Sequence, residues 1–333
     1  MRRLLVIVLA AAALYASYWY IGASSAERGL KFWLEAREKK GWIANYSSLD
    51  TIGFPNRFDT TVTDLELADP QTGVAWSAPF FQILSLSYKP NHIIAVWPEE
   101  QVVASPYQKF RINADTMRGS IIFVPDTSLE LDRSSIELKN FRILSTDGWA
   151  ASLETGQFAT RRTSARENAH DLFFEATAFQ PSENLRDWLD PGALLPDTFD
   201  QMKLDMSLGF DAPWDRFSIE DRRPQPTDIH LKLLQANWGE LDLYAAGKLD
   251  SDAEGKATGK IEVRAKNWRQ MLKIGVDTGA VPEPVAATVE KALEFLANLS
   301  GDPVTLEAPL TFSDGWIAFG PFPLGPAPRF WIR

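Results

Sequence analysis

The chain has 333 residues, no cysteine and a formal net charge of −10. Without cysteine there is no disulfide framework, thiolate metal site or cysteine nucleophile. The acidic balance argues against nucleic acid as a partner and against broad adhesion to an anionic bilayer surface, and a hydrophobic share of 45% with 23% charged residues is that of a folded protein.

The first element is Leu4 to Ile21, eighteen residues without a charge, preceded by Arg2 and Arg3 and followed by Glu27 as the first acid. A helix needs about 20 apolar residues to cross a hydrocarbon core of about 30 Å, so this stretch just suffices. Arg2 and Arg3 hold its start in the cytoplasm. Trp19 and Tyr20, with Tyr15 and Tyr18, crowd its other end, where amphipathic rings favour the headgroup layer. The expectation is a retained signal-anchor over residues 1–22 with the bulk of the chain exported. The flanking arginines argue against a buried core helix. The rival reading is a signal peptide cleaved after Ala26, at Ser24-Ser25-Ala26. The ring cluster favours the anchor.

Ala23 to Lys40 reads as a helix continuing outward. Ala26, Leu30, Trp33 and Leu34 recur at helical spacing, and the basic end Arg37, Lys39 and Lys40 suits a C-terminus stopped by Gly41. Residues 23–41 are thus juxtamembrane, and 42–333 form a β-rich body with room for a subdivision near 180–200.

That body opens with a turn at Gly53 and Pro55. Phe58, Thr60 and Val62 then alternate before the phase flips to Leu65 and Leu67, which predicts a bulge. Asp69 to Gly73 reads as a hairpin turn, and Val74 to Tyr88 alternates again. Strand-like runs follow at 92–97, 101–105, 117–124, 136–144, 149–161 and 171–179, each bounded by Pro, Gly, Asn or Asp. Short strands with turn residues between them indicate antiparallel β. The predicted fold class is mainly β (α+β): extended, curved antiparallel sheets with helical insertions behind an N-terminal transmembrane helix.

One insertion is a short helix capped by Ser182. A helical hairpin comes later, with Asn267 as the cap of Trp268 to Val276 and Pro284 opening Val285 to Leu299. Between the insertions lies the cleanest pattern. Ile229, Leu231 and Leu233 point one way, Leu241, Leu243 and Ala245 repeat the phase, and Ala257, Gly259, Ile261, Val263 and Ala265 alternate against polar residues. This is a meander with one apolar and one wetted face. Strands return at 304–312 and 316–319, and the proline-dense close from Gly320 to Arg329 predicts no regular pairing.

Motifs for chemistry fail on inspection. Gly255 to Lys260 is one residue short of a phosphate loop and lies in a strand. Asp250, Asp252 and Glu254 begin like a calcium loop, but Ile261 stands where the last ligand belongs, and a hairpin turn explains the same residues. His92, His170 and His230 show no paired spacing for zinc. Asp187 and Asp190 flank Trp188 as for a sugar, yet a solvated helix face is the simpler reading. No catalytic residue, metal site or cofactor is expected.

Three stretches together resemble the Gram-negative envelope family catalogued as domain of unknown function 2125. They are the Trp19-Tyr20 anchor end, Gly53-Phe54-Pro55-Asn56-Arg57, and the meander from Gly247 to Trp268 leading to Pro-Leu-Gly-Pro. The meander also resembles repeats of AsmA-like proteins, which are anchored in the inner membrane and associated with lipid traffic. The resemblance implies an inner-membrane, single-pass protein whose bulk is periplasmic, or a free periplasmic one if the N-terminal segment is removed.

Three readings follow. In the first, a tethered protein binds lipid or another apolar ligand on a concave sheet face built from Leu241, Leu243, Ala257, Gly259, Ile261 and Val263. In the second, the same face is packed core and the protein is a structural or interaction module. In the third, it is an enzyme acting on glycans. The first two are not enzymes.

Overall fold

The computed structural model describes residues 1–218, 222–279, 281–299, 301–320 and 322–332. Its first segment is one unbroken helix, α1 (Arg2–Lys39), long and apolar enough to cross a membrane. No proline interrupts it, and Gly41 at φ +89° follows its end. The helix continues through the second half of α1, as expected, with a corrected stripe. Leu34 is buried and Leu30 packs beside it, whereas Ala26 is exposed and Trp33 turns outward, 5.0 Å from the Arg37 guanidinium.

The chain divides into two compact units, residues 1–125 with 136–148 and residues 126–135 with 149–333. Both are antiparallel β.

The first unit holds β1 (Ile43–Asn45), β2 (Ser48–Ile52), β3 (Arg57–Asp69), β4 (Val74–Leu86), β5 (Lys89–Val96), β6 (Glu100–Ala104), β7 (Lys109–Asn113), β8 (Thr116–Phe123) and the later part of β9 (Leu131–Ser145). Its spine is the β3–β4 hairpin. The Asp69 carboxylate accepts the Gln71 N–H and the Thr72 hydroxyl, and Gly73 takes φ +71°, which closes the expected turn. β1 and β2 line one edge of β3, and β5 and β6 one edge of β4.

The phase flip in β3 is present, but no extra residue makes it. Thr63 pairs with Phe80 and Leu65 with Ala78, so the register is unbroken. The pair between them drops out of the ladder: Asp64 takes φ +51°, and Pro79 has no N–H to donate. Leu34 of α1 completes this unit's core with Ala44, Leu49, Val62 and Leu65.

The second unit is a meander in which each strand pairs with the next. It runs through β10 (Ala150–Arg162), β11 (Ala169–Phe179), α2 (Glu183–Leu189), β12 (Phe199–Phe210), β13 (Pro226–Trp238), β14 (Leu241–Ser251) and β15 (Ala257–Lys266). It continues through α3 (Trp268–Asp277), α4 (Glu283–Leu299), β16 (Thr305–Ser313), β17 (Trp316–Phe319) and β18 (Phe322–Pro326).

Four expectations need correction. Leu233 does not share a face with Ile229 and Leu231. Asp205 pairs with Leu233 and Met206 with Leu231, so Lys232 is an extra residue, and Leu234 takes the inward place. Asn267 does not cap α3 with its side chain. It sits at φ +57°, and its amide donates to the Glu240 carbonyl while its backbone carbonyl receives the first helical N–H groups. Phe322–Pro326 does pair, with β17, through a register shift between Ile317 and Ala318. Proline is tolerated in a strand where its missing N–H points away from the ladder. Pro321 lies outside the described residues. The fourth correction concerns Asp190, treated below.

Candidate functional site

The outer end of the apolar stretch of α1 is clamped by the first unit. Tyr15, Tyr18, Trp19 and Gly22 recur at helical spacing, so one side of α1 presents them together. They meet two turns at one end of the sheet: the β2–β3 turn Gly53 to Asn56 and the two-residue β4–β5 turn Ser87-Tyr88. The Tyr18 hydroxyl donates to the Ser87 carbonyl at 2.5 Å, and the Tyr15 hydroxyl lies 3.2 Å from the Ser87 hydroxyl. The Trp19 indole N–H donates to the Arg57 carbonyl at 2.8 Å. Its ring meets Phe54 edge-on at 5.4 Å between centroids and lies 6.1 Å from Phe58. Gly22 is required there, because a Cβ would run into the Phe58 ring. Arg2 and Arg3 stand at the other end of the helix, exposed, and Tyr20 points away from the clamp.

The six positions read as ligand-facing fall in three places. Ala257, Ile261 and Val263 belong to a cluster with Ala245, Leu249 and Phe312. Leu243 packs beside Ala265, Trp268 and Leu293, under α3 and α4. Leu241 is buried with Leu195, Phe199 and Trp238. Ala257, Ile261 and Leu241 are buried, while Leu243, Gly259 and Val263 are half-buried. The helical hairpin covers one part of the face. Ala327 and Phe330 cover another, held by the Phe330 N–H on the Gly255 carbonyl at 2.8 Å. The Gln225 side-chain amide bonds both the N–H and the carbonyl of Ile332, at 2.9 and 3.0 Å. Gly259 leaves no empty space either. At φ +144° it lets β15 approach β14 so closely that a Cβ would strike the Lys248 carbonyl.

The family described as an uncharacterized protein conserved in bacteria (DUF2125) matches residues 19–328. The chain belongs to that family. The matched span opens on Trp19, the residue that carries the clamp, and takes in both turns that receive it. The resemblance of the meander to AsmA-like repeats is not carried by this match. No curated protein and no solved structure matches the chain.

The remaining motif residues lie in turns and strands. The Asp252 carboxylate accepts the N–H groups of Glu254 and Lys256, at 3.0 and 2.8 Å, so Asp252 to Gly255 is a hairpin turn and Asp250 is a paired residue of β14. Gly255 to Lys260 is that turn and the start of β15. His92 lies 2.9 Å from the Ser120 hydroxyl. His230 lines a hollow of about 350 Å³ with Arg166, Asp228 and Lys248. His170 is buried, 3.3 Å from the Thr160 hydroxyl, and burial pushes its pKa below the ordinary value. Among the described residues no group of three or more His, Cys, Asp or Glu could hold a metal ion.

Asp187 is solvated beside Arg186, as expected of a surface helix, but Asp190 is not. It ends α2, is buried, and accepts the Leu195 N–H at 2.8 Å, tying the helix to the loop that follows. Sequence periodicity missed it because the burial comes from the loop, not from the helix face. The clamp was half legible. Trp19 and the Gly53 to Arg57 stretch both stood out, but nothing in the sequence joined them or pointed to Ser87.

Proposed function

We propose that this protein is a structural or interaction module of the bacterial envelope, held by a single N-in pass in the inner membrane with its β body in the periplasm, and that it is not an enzyme. The observation that carries this reading is the filling of the meander's apolar face by the chain's own α3, α4 and 327–332 stretch. A sheet face built to carry an acyl chain would leave Ile261 accessible, and it is only 7% exposed. The paired arginines before α1 and the aromatic exit support the orientation.

Two measurements on the full chain test it. Because there is no native cysteine, Asp147→Cys introduces a unique thiol, and a membrane-impermeant maleimide added to spheroplasts should label it. Protection there would reverse the orientation. Ile261→Asp should unfold the second unit, since a buried charge costs more than the ~1.5–3 kcal/mol gained by burying the isoleucine. Glu262→Lys, on the exposed face, should leave melting unchanged. An Ile261→Asp protein that melts like wild type and loses a lipid adduct in native mass spectrometry would restore the lipid-carrier reading.

A further inference from the structure

The clamp sits too deep along α1 to lie clear of the bilayer. Arg3 to Tyr15 spans twelve residues and Arg3 to Tyr18 fifteen, about 18 and 23 Å at 1.5 Å per residue. The hydrocarbon core is about 30 Å thick. Helical side chains lean toward the N-terminus, so the Ser87 atoms bound by the two tyrosine hydroxyls lie no further out than these residues. Tilting α1 brings them deeper. Letting the arginines snorkel lifts them by only a few ångström, against the roughly 12 and 7 Å that would bring them to the outer edge of a core of about 30 Å.

The two turns have the chemistry that this depth demands. Polar backbone in an apolar layer must be paired within the protein. The Ser87 N–H donates to the Asn56 carbonyl at 3.0 Å and the Arg57 N–H to the Gly53 carbonyl at 2.9 Å. The Ser87 and Arg57 carbonyls take the Tyr18 hydroxyl and the Trp19 indole, and Ser87 itself is fully buried. What the turns and the end of β2 expose is mainly apolar, Ile52 at 66%, Phe54 at 58% and Tyr88 at 62%, with Pro55 and the polar Asn56 exposed beside them. The long cations Lys89 and Arg57 flank them, both exposed. The Arg57 guanidinium is paired at two points with the Asp59 carboxylate, at 2.9 and 3.1 Å, whereas Lys89 has no such ion pair among the described residues.

We propose that Ile52 to Arg57 and Ser87 to Lys89 form a foot seated at the outer edge of the acyl layer, beneath the headgroups, of the bilayer that α1 crosses. Ile52, Phe54 and Tyr88 enter the acyl layer, and Lys89 reaches glycerophospholipid phosphates. This rests on the anchor reading of α1. The foot makes the membrane surface part of the first unit's packing and fixes that unit's height and orientation on the bilayer.

The test uses the full chain in nanodiscs of phosphatidylethanolamine and phosphatidylglycerol. Single cysteines at Tyr88, Phe54, Leu9 and Asp147 carry a fluorophore, and spin-labelled lipids quench it at the headgroup, at a shallow acyl carbon or at the bilayer centre. All four side chains are exposed. Those of Tyr88, Leu9 and Asp147 take no part in the clamp, so their variants should melt like wild type, whereas Phe54 meets Trp19, so Tyr88→Cys decides the test if Phe54→Cys melts earlier. Tyr88→Cys and Phe54→Cys should be quenched most strongly by headgroup and shallow labels and should react several-fold more slowly with an impermeant thiol reagent than Asp147→Cys. Leu9→Cys should be quenched from the bilayer centre. If Leu9→Cys is quenched while Tyr88→Cys and Phe54→Cys behave like Asp147→Cys, the foot is overturned and the anchor stands. If Leu9→Cys is not quenched either, the anchor reading fails with it.

Discussion

At the scale of the residue, His170 shows how one buried group sets a pH dependence. Its ring packs in the second unit beside Thr160 and Phe210. Burial lowers its pKa from the ordinary 6.5, Glu130 works against that, Arg162 reinforces it, and Asp132 and Asp171 oppose it more weakly. The folded state therefore holds His170 neutral at a pH where the unfolded chain already takes a proton. Stability contributed this way is complete above the unfolded value of 6.5 and is lost as pH falls toward the lowered folded value, with a slope of at most ~1.4 kcal/mol per pH unit for one proton. Asp171 acts in a separate window. The Ser207 hydroxyl and then Lys232 hold its carboxyl below 3.8, so its contribution is lost only in stronger acid. Urea unfolding of His170→Gln should lose the wild-type slope just below pH 6.5. An identical slope in the two proteins would remove His170 from the account. A second residue-scale expectation concerns Gly259. Gly259→Val adds a β-branched side chain at φ +144° against the Lys248 carbonyl, and should cost about 1–3 kcal/mol or more in the same melts.

Elements were legible where one face was apolar over several turns of a period. β15 has the expected alternation of burial at every residue, and α2 and α4 fall where their caps and stripes put them. β1, β2 and β7 have three to five residues and show no period of their own. β12 was missed although Met202, Leu204, Met206, Leu208 and Phe210 alternate, because the polar residues between them blend with the loops on either side. The bulge at Lys232 was invisible because a lysine between two leucines looks like ordinary alternation. Its side chain instead bridges Asp171 and Asp205, at 3.1 and 3.3 Å, across neighbouring strands. The cover of the meander face by 327–332 was also illegible, since a proline-rich stretch has no periodic apolar side. That cover is testable. Gln225→Ala removes both bonds to Ile332, worth about 0.5–1.5 kcal/mol each. A chain ending before Ala327 should expose Phe312 and Ile261, bind an apolar dye and melt earlier. Unchanged melting and no dye binding would show that the stretch covers nothing.

At the scale of the whole molecule, α1 is one rod with two attachments. Tyr15, Tyr18 and Trp19 hold its apolar N-terminal half against the turns of the first unit, and Leu30 and Leu34 hold its C-terminal half against that unit's core. Trp19, Leu30 and Leu34 lie within about 60° of one another around the helix at about 100° per residue, so the relative phase of the two attachments is set by the residues between them. Flexible linkage between anchor and body would make that phase irrelevant. Inserting two alanines after Ser25 turns the outer half by about 200° relative to the inner half without breaking the helix. One attachment must then be lost, and with it the burial of Leu34 or the bonds of Tyr18 and Trp19. Removing large buried side chains from a core costs about 2–5 kcal/mol, so the insertion should lower the melting temperature in detergent clearly. Leaving the length of α1 unaltered and replacing Trp19 alone with Ala should release the inner attachment and speed proteolysis at the turn Gly53 to Asn56, while the Leu34 contact persists. An insertion variant that melts like wild type would mean that α1 is only a tether, and that the order seen at the two turns does not come from it.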